Sequence, residues 1–299
     1  MILILILYAI LAVSFTIGKM LLDFLPPLFL IGLRMLFSGI ILLSSYYLYS
    51  DKKTKVERTD WYWLFFISIV HIFIPYATEF IALQSIAPSC AALMFNFSPF
   101  FTALFSYWYF NETMTPLKWL GAAISFSGLI YFLQPTVWCW GDIFGFNSIY
   151  ALLLGGVASS AYAWVVIRQF VKNKNFSILF INGIAMLLGG IESFSVSFLY
   201  NEQVLFPWQN FWYFVLLFLT ITCLINFFYN FYGYLLKRYT ATFLSFMGLA
   251  TPLIVAFFDW LFLGISIHNH FFIALFFIAV GVYLFYQEEL KQGYTSIGN

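Results

Sequence analysis

The sequence predicts an all-α integral membrane protein, with ten transmembrane helices arranged as two inverted five-helix repeats. Three observations carry this. Of 299 residues, 63% are hydrophobic and only 8% charged, against about 25% charged in a soluble domain; such a chain cannot cover its own surface with polar groups, and a bilayer removes the need. Apolar runs of the roughly 20 residues that cross a bilayer follow one another with only short connections. The second half of the chain repeats features of the first at matching positions.

The predicted spans are 2–22, 27–49, 62–83, 88–110, 117–133, 147–168, 177–199, 211–233, 240–263 and 270–287. Span 1 has no Lys or Arg before Lys19, so it lacks the charged start of a cleavable signal peptide and is read as a retained helix. Span 2 opens at Pro26–Pro27 and follows Asp23. Span 3 begins after the basic loop DKKTKVERTD (51–60). Span 4 carries Pro99, span 9 carries Pro252, and each proline sits mid-span, where it deletes a backbone hydrogen bond and kinks the helix. QPTVWCWGDIFGF (134–146) separates the halves and is too short for a soluble domain. The domains expected are 1–135 (first repeat), 136–146 (external linker), 147–287 (second repeat) and 288–299 (cytoplasmic tail).

Charge orients the spans. With the N-terminus inside, 11 of the 13 Lys and Arg fall in cytoplasmic segments, Lys19 and Arg34 being the exceptions; this positive-inside bias puts both termini and the 51–60 loop in the cytoplasm of what is expected to be a bacterial plasma membrane. Trp61, Trp63, Trp119, Trp138, Trp140, Trp208 and Trp212 lie near span ends, as in an aromatic belt. The 40 phenylalanines and 20 tyrosines exceed what one site could use and are read mainly as lipid-facing or packing residues.

Aligning 90–105 with 243–258 puts Pro99 on Pro252, Ser98 on Thr251 and Met94 on Met247; the same shift puts Tyr76 on Tyr229, and a nearby one puts Phe15 on Trp164 and Lys19 on Arg168. Two odd-numbered helical units in tandem insert in opposite directions, which sets a binding site near the midplane at the repeat interface.

The segment FIALQSIAPSCAALMFNFSPFFTALFSYWYFNETMTPLKWLGAAISFSGLIYFLQP (80–135) resembles the core of an EamA-type member of the drug/metabolite transporter superfamily. The likeness lies in the A-L-Q before a short loop, the F-N-F-S-P within span 4, the N-E-T closing it and the W-L-G-x-x-x-S-x-x-G of span 5. The second half departs from it, with Ile265 standing where Glu112 stands in the first. The resemblance implies ten helices, both termini inside and transport without ATP hydrolysis, of substrates such as amino acids, purine-like metabolites, S-adenosylmethionine or drugs.

The candidate substrate-binding residues are Arg34, Tyr76, Glu79, Asn96, Trp164, Asn226, Tyr229 and Asn230. Arg34 lies about 10 Å into span 2 by helix rise, and a charge at that depth faces a cavity or a partner. Glu79, at similar depth in span 3, is the natural partner, so substrate contact and a structural ion pair both stay open. Asn226, Tyr229 and Asn230 share a broad face of span 8, as cavity handles or as helix glue. His71, Glu192 and Asp259 are candidate proton carriers, with an interhelical hydrogen bond the bland reading of His71. Lys19 is expected to snorkel outward. Cys90, Cys139 and Cys223 are read as buried small hydrophobes, and His268 and His270 as a solvated loop rather than a metal site.

No cofactor, metal site or nucleic-acid partner is expected; the partners are a small-molecule substrate and the bilayer, and the oligomeric state stays open. No P-loop, HExxH or GxSxG occurs. The leading reading is a secondary transporter working by alternating access. The alternative is a membrane enzyme acting on a lipid, which would gather His or acidic residues near one interface, where this sequence scatters them.

Overall fold

A computed structural model describes residues 2–50, 54–86, 88–133, 148–204, 208–251, 253–254 and 269–294. Within them the chain is helical, with no strand. Helix α1 runs Ile2–Leu21, α2 Pro27–Tyr49, α3 Arg58–Ile67, α4 Ile74–Ser85, α5 Pro88–Phe95, α6 Ser98–Phe110, α7 Pro116–Leu133, α8 Ser148–Asn173, α9 Ile178–Leu199, α10 Phe211–Leu235, α11 Ala241–Met247 and α12 Asn269–Lys291. Six of these stretches are long and apolar enough to cross a membrane, among them Pro27–Tyr49, Arg58–Ser85 and Ile178–Leu199, and shorter apolar helices cover Ile6–Leu21 and Ala241–Ala250. The protein is a multi-pass integral membrane protein. Phe198 and Trp212, 73% and 80% exposed, need lipid as their solvent.

Local chemistry explains the helix limits. Pro27 opens α2, where its missing N–H costs nothing and its fixed φ suits the first turn. Glu57 and Asp60 form a reciprocal capping box on α3. Thr240 accepts from the Phe243 N–H at the start of α11. Asn111 ends α6 in the left-handed region at φ 52°.

Two spans are interrupted. The third runs as α3, a π-helical stretch Ser68–Phe73, then α4. Pro75 follows directly; its ring crowds the carbonyl one turn back, at His71, and leaves that carbonyl without a donor. The wider π turn relieves that crowding, and such turns recur at functional sites. The fourth span breaks at Asn96–Phe97 between α5 and α6, with Pro99 buried just inside α6. The stretch after α11 tightens to a 3₁₀ turn at Gly248–Ala250. Pro252, Asp259, Ile265, Trp138, Cys139 and Trp140 with the whole 136–146 linker, His268, and the side chains of Cys90 and His270 lie outside the described residues.

Close packing relies on small residues, as between membrane helices generally. Helix α2 crosses α9 so closely that a methyl at Gly39 would stand 2.6 Å from the Leu187 amide nitrogen, and one at Gly190 2.8 Å from that of Leu36. The contacts are reciprocal: Gly32 faces Phe194 and Gly183 faces Leu43. As one number rises the other falls, so the two helices run antiparallel. Helix α7 meets α12 in the same way, Gly121 lying against the Gly281 carbonyl and Gly128 against Phe277. Helix α1 packs on α10, α4 on α8, and α6 on both α8 and α11.

The Glu202 carboxylate, from the connection after α9, accepts from the Leu28 and Phe29 N–H groups at 3.2 and 2.9 Å and from Ser197 Oγ at 2.8 Å. An anion thus fills the positive end of α2. Cys223 corrects the expectation of a buried thiol: it is exposed on α10, a face that lipid covers.

Candidate functional site: a central cavity with a buried arginine

The helices surround a partly open cavity with about 80 Å³ of water-accessible space. Arg34, Tyr76, Glu79, Asn96, Trp164 and Tyr229 all line it. Asn226 and Asn230 do not. Asn182 Nδ2 donates to Asn230 Oδ1 at 3.3 Å, and Asn230 Nδ2 donates to the Asn226 carbonyl at 2.7 Å. Asn230 thus joins α10 to α9, which is the helix-glue alternative, whereas Asn226 Oδ1 is buried without a partner.

Arg34 is 1% exposed, and its Nε and Nη2 find no hydrogen-bond acceptor. Its guanidinium carbon sits 4.6 Å from the Tyr76 ring centre and 4.9 Å from that of Phe80, both within cation–π range. Glu79 lines the same cavity and is 8% exposed. Among the described residues Arg34 and Glu79 form no ion pair within the 4.0 Å limit, so the expected direct partnership is not made in this conformation. A buried guanidinium without its full set of acceptors is costly. It is the arrangement in which an incoming carboxylate would be held strongly, through paired charge-assisted hydrogen bonds.

Aromatic rings form the wall beside Arg34. Tyr76 and Tyr229 stack at 6.2 Å and 25°, Trp164 lies 5.3 Å from Tyr229 and 4.1 Å from Tyr232. Asn96, 5% exposed, leaves Nδ2 without a partner. The cavity therefore offers one cation, one acid, an amide donor and several π faces, the mix that orients an amphipathic small molecule. Sequence reasoning missed Tyr8, Ser14, Phe228, Tyr232 and Ser245, which also line it. The aromatic run NFFYNFYGY held a usable signal, since Phe228 and Tyr232 flank Tyr229 on one helix face.

Of the candidate proton carriers, the two that are described, His71 and Glu192, lie outside the cavity lining. His71 is fully buried on the π turn, with neither ring nitrogen bonded. Its ring meets Trp164 edge-on at 4.4 Å and Tyr229 at 4.8 Å, so the interhelical hydrogen bond expected of it is not formed. Glu192 Oε1 lies 2.6 Å from Ser68 Oγ.

Lys118 and Arg168, which the sequence counts with the cytoplasmic segments, are both buried in ion pairs. They are 2% and 3% exposed and are paired with Glu289 and Glu112. Lys19 does not snorkel freely but donates to the carbonyls of Leu83 and Gln84 at the end of α4.

A bundle of apolar helices around a charged and aromatic interior cavity defines a membrane carrier of small molecules. The comparison with known proteins gives the family: the EamA-like transporter family matches residues 1–134 and 147–287, and the chain belongs to it. A relative from Chlamydia muridarum, named an S-adenosylmethionine/S-adenosylhomocysteine transporter, is 32% identical over 292 residues, covering 94% of this chain and 90% of its own. A Chlamydia trachomatis serovar D relative of the same name is also 32% identical, over 94% of this chain and 87% of its own. A solved crystal structure superposes with a TM-score of 0.71 at 17% identity, covering 97% of this chain and 96% of that one; at that identity the likeness is one of fold.

Proposed function

We propose that this protein is a secondary transporter of S-adenosylmethionine or S-adenosylhomocysteine, working by alternating access between two inverted five-helix halves. The observation that carries the reading is the buried Arg34 with unfilled donors, facing the same cavity as Glu79 and the Tyr76–Trp164–Tyr229 wall. A molecule with an amino-acid end, a sulfonium and a purine suits that set. Arg34 would hold the carboxylate and Glu79 the ammonium. The rings would stack on the purine and attract the sulfonium through their negative faces. Asn96 Nδ2 would donate to a ring nitrogen or ribose oxygen. The names of the chlamydial relatives point to the same molecules.

The inverted-repeat reading gains support from packing. At the α2–α9 crossing Gly32 and Gly183 exchange roles, as do Gly39 and Gly190. Reciprocal contacts between antiparallel helices are those of a two-fold axis perpendicular to both, hence in the membrane plane. The repeat mates Tyr76 and Tyr229 touch each other, as residues beside such an axis must. The reading takes ten spans, both termini in the cytoplasm of a bacterial plasma membrane, and His71 and Glu192 as the described candidates for a coupled proton. Membership of a transporter family favours it over the lipid-modifying enzyme.

The test is uptake of radiolabelled S-adenosylmethionine by cells expressing the protein, with unlabelled S-adenosylhomocysteine, methionine and adenosine as competitors. Saturable uptake blocked by the first competitor and weakly by the other two is expected. No uptake, from a protein confirmed in the membrane, would remove the substrate assignment.

A further inference from the structure

Among the described residues two ion pairs with both partners buried join the first half of the chain to the second, beside the half-exposed Lys174–Asp60 pair, and they differ in completeness. Lys118 pairs with Glu289 Oε1, while Thr240 Oγ1 donates to Glu289 Oε2 at 2.8 Å. Both carboxylate oxygens are thus bonded, and the pair lies on the α7–α12 interface, where glycines bring backbones into contact. Arg168 Nη1 meets Glu112 Oε1 at 2.5 Å, yet Arg168 Nε and Glu112 Oε2 are buried without partners. A buried pair is stabilising only when its remaining donors and acceptors are also met. The first pair satisfies that condition and the second does not, so the second is the cheaper to part.

Its position gives that weakness a use. Glu112 follows the end of α6, and Arg168 is on α8, one turn beyond the cavity-wall residue Trp164 on the same helix face. Parting the pair would free the segment of α8 that carries this wall. In the alignment of the halves Lys19 stands for Arg168, but the apolar Ile265 stands for Glu112. Lys19 binds the carbonyls of Leu83 and Gln84.

We infer that Glu112 and Arg168 form the cytoplasmic gate of the transport cycle, closed in this structure and opened once per turnover, while Lys118–Glu289 is a permanent clamp between α7 and α12. This rests on the transport reading and the orientation given above. An alternating-access carrier must break contacts between its halves at one end and keep others as a pivot, and the two pairs divide those tasks.

The test replaces Cys90, Cys139 and Cys223 by serine and bridges Glu112→Cys with Arg168→Cys using a bifunctional, reducible thiol reagent. Bridging is expected to abolish S-adenosylmethionine transport, with recovery after reduction, whereas bridging Lys118→Cys with Glu289→Cys leaves transport intact. Transport at the unbridged rate through the 112–168 link overturns the gate. If the cysteine-free parent, with Glu112 and Arg168 in place, moves no S-adenosylmethionine, the substrate reading has failed, and a second measurement needs no substrate. Ser245→Cys in the cavity wall is labelled from the cytoplasmic side of inverted vesicles, with and without Glu112→Gln. At least tenfold faster labelling with Glu112→Gln supports the gate; an unchanged rate overturns it.

Discussion

Tyr76 and Tyr229, 153 positions apart and aligned in the two halves of the sequence, stack on each other with ring centres 6.2 Å apart and planes 25° from parallel. Each is buried, and each lines the central cavity. They come from α4 and α10, which never meet through chain connectivity; the closure of the two halves brings them together. Replacing either by alanine should weaken substrate binding by about 0.5 to 2 kcal/mol, the range of a cation–π contact, or roughly two- to thirtyfold in apparent affinity. Phenylalanine at the same position should recover most of it. Uptake kinetics check this, and an unchanged KM in both alanine variants would move the substrate away from this wall.

Arg34 is expected to matter for transport more than for folding. Arg34→Ala should abolish uptake while leaving the detergent-purified yield within about twofold, because the charge has few partners to lose and its removal relieves a desolvation cost. Arg34→Lys keeps a charge but not the planar fork, and should retain little activity. Arg34→Ala/Glu79→Ala should not recover transport. Recovery of both yield and uptake in the double variant would make the two a structural couple and place the substrate elsewhere.

Glu202 should act on stability alone. Glu202→Ala removes the acceptor for two backbone donors and a hydroxyl at the start of α2. Loss of a helix cap costs about 0.5 to 2 kcal/mol, so a lower Tm with an unaltered KM is expected from thermal unfolding in detergent. A changed KM with an unchanged Tm would contradict this.

The glycines of the α2–α9 crossing should respond as a symmetric pair. Gly39→Ala and Gly190→Ala each place a methyl inside contact distance of a facing backbone. Overpacking costs about 1 to 3 kcal/mol, so each should lower the folded yield to a similar degree. Together they should cost less than the sum, since the first already separates the helices. Strongly unequal losses would argue against the two-fold relation.

Orientation is open to a direct check. A cysteine at Lys55 should resist membrane-impermeant thiol reagents in intact cells and react in inverted vesicles. Efficient labelling from outside would reverse the topology and put the Glu112–Arg168 pair on the external face.

The sequence alone determined the solvent of this protein and the positions of several of its helices. A chain with 8% charged residues can satisfy its backbone in lipid only as helices or a closed barrel, and the long apolar runs select helices; Pro27–Tyr49 and Ile178–Leu199 fall within a residue of where hydropathy set their limits. It also brought forward Arg34, Glu79, Asn96, Trp164 and the two tyrosines, because polar groups and matched aromatics at mid-depth need somewhere other than lipid to point. What it could not decide was which polar groups meet. Asn230 sits one turn from Asn226 and beside Tyr229, yet a small rotation of α10 turns it to Asn182 and away from the cavity. Lys118 and Arg168 count with the cytoplasmic segments by sequence; only the approach of Glu289 and Glu112, 171 and 56 positions away, buried them. The π turn at His71 leaves no mark in hydropathy, because an apolar segment reads the same at 3.6 residues per turn or more. Depth in the membrane follows from the order of residues along one helix, whereas partnership depends on the rotation of each helix about its axis, which packing against the other helices sets.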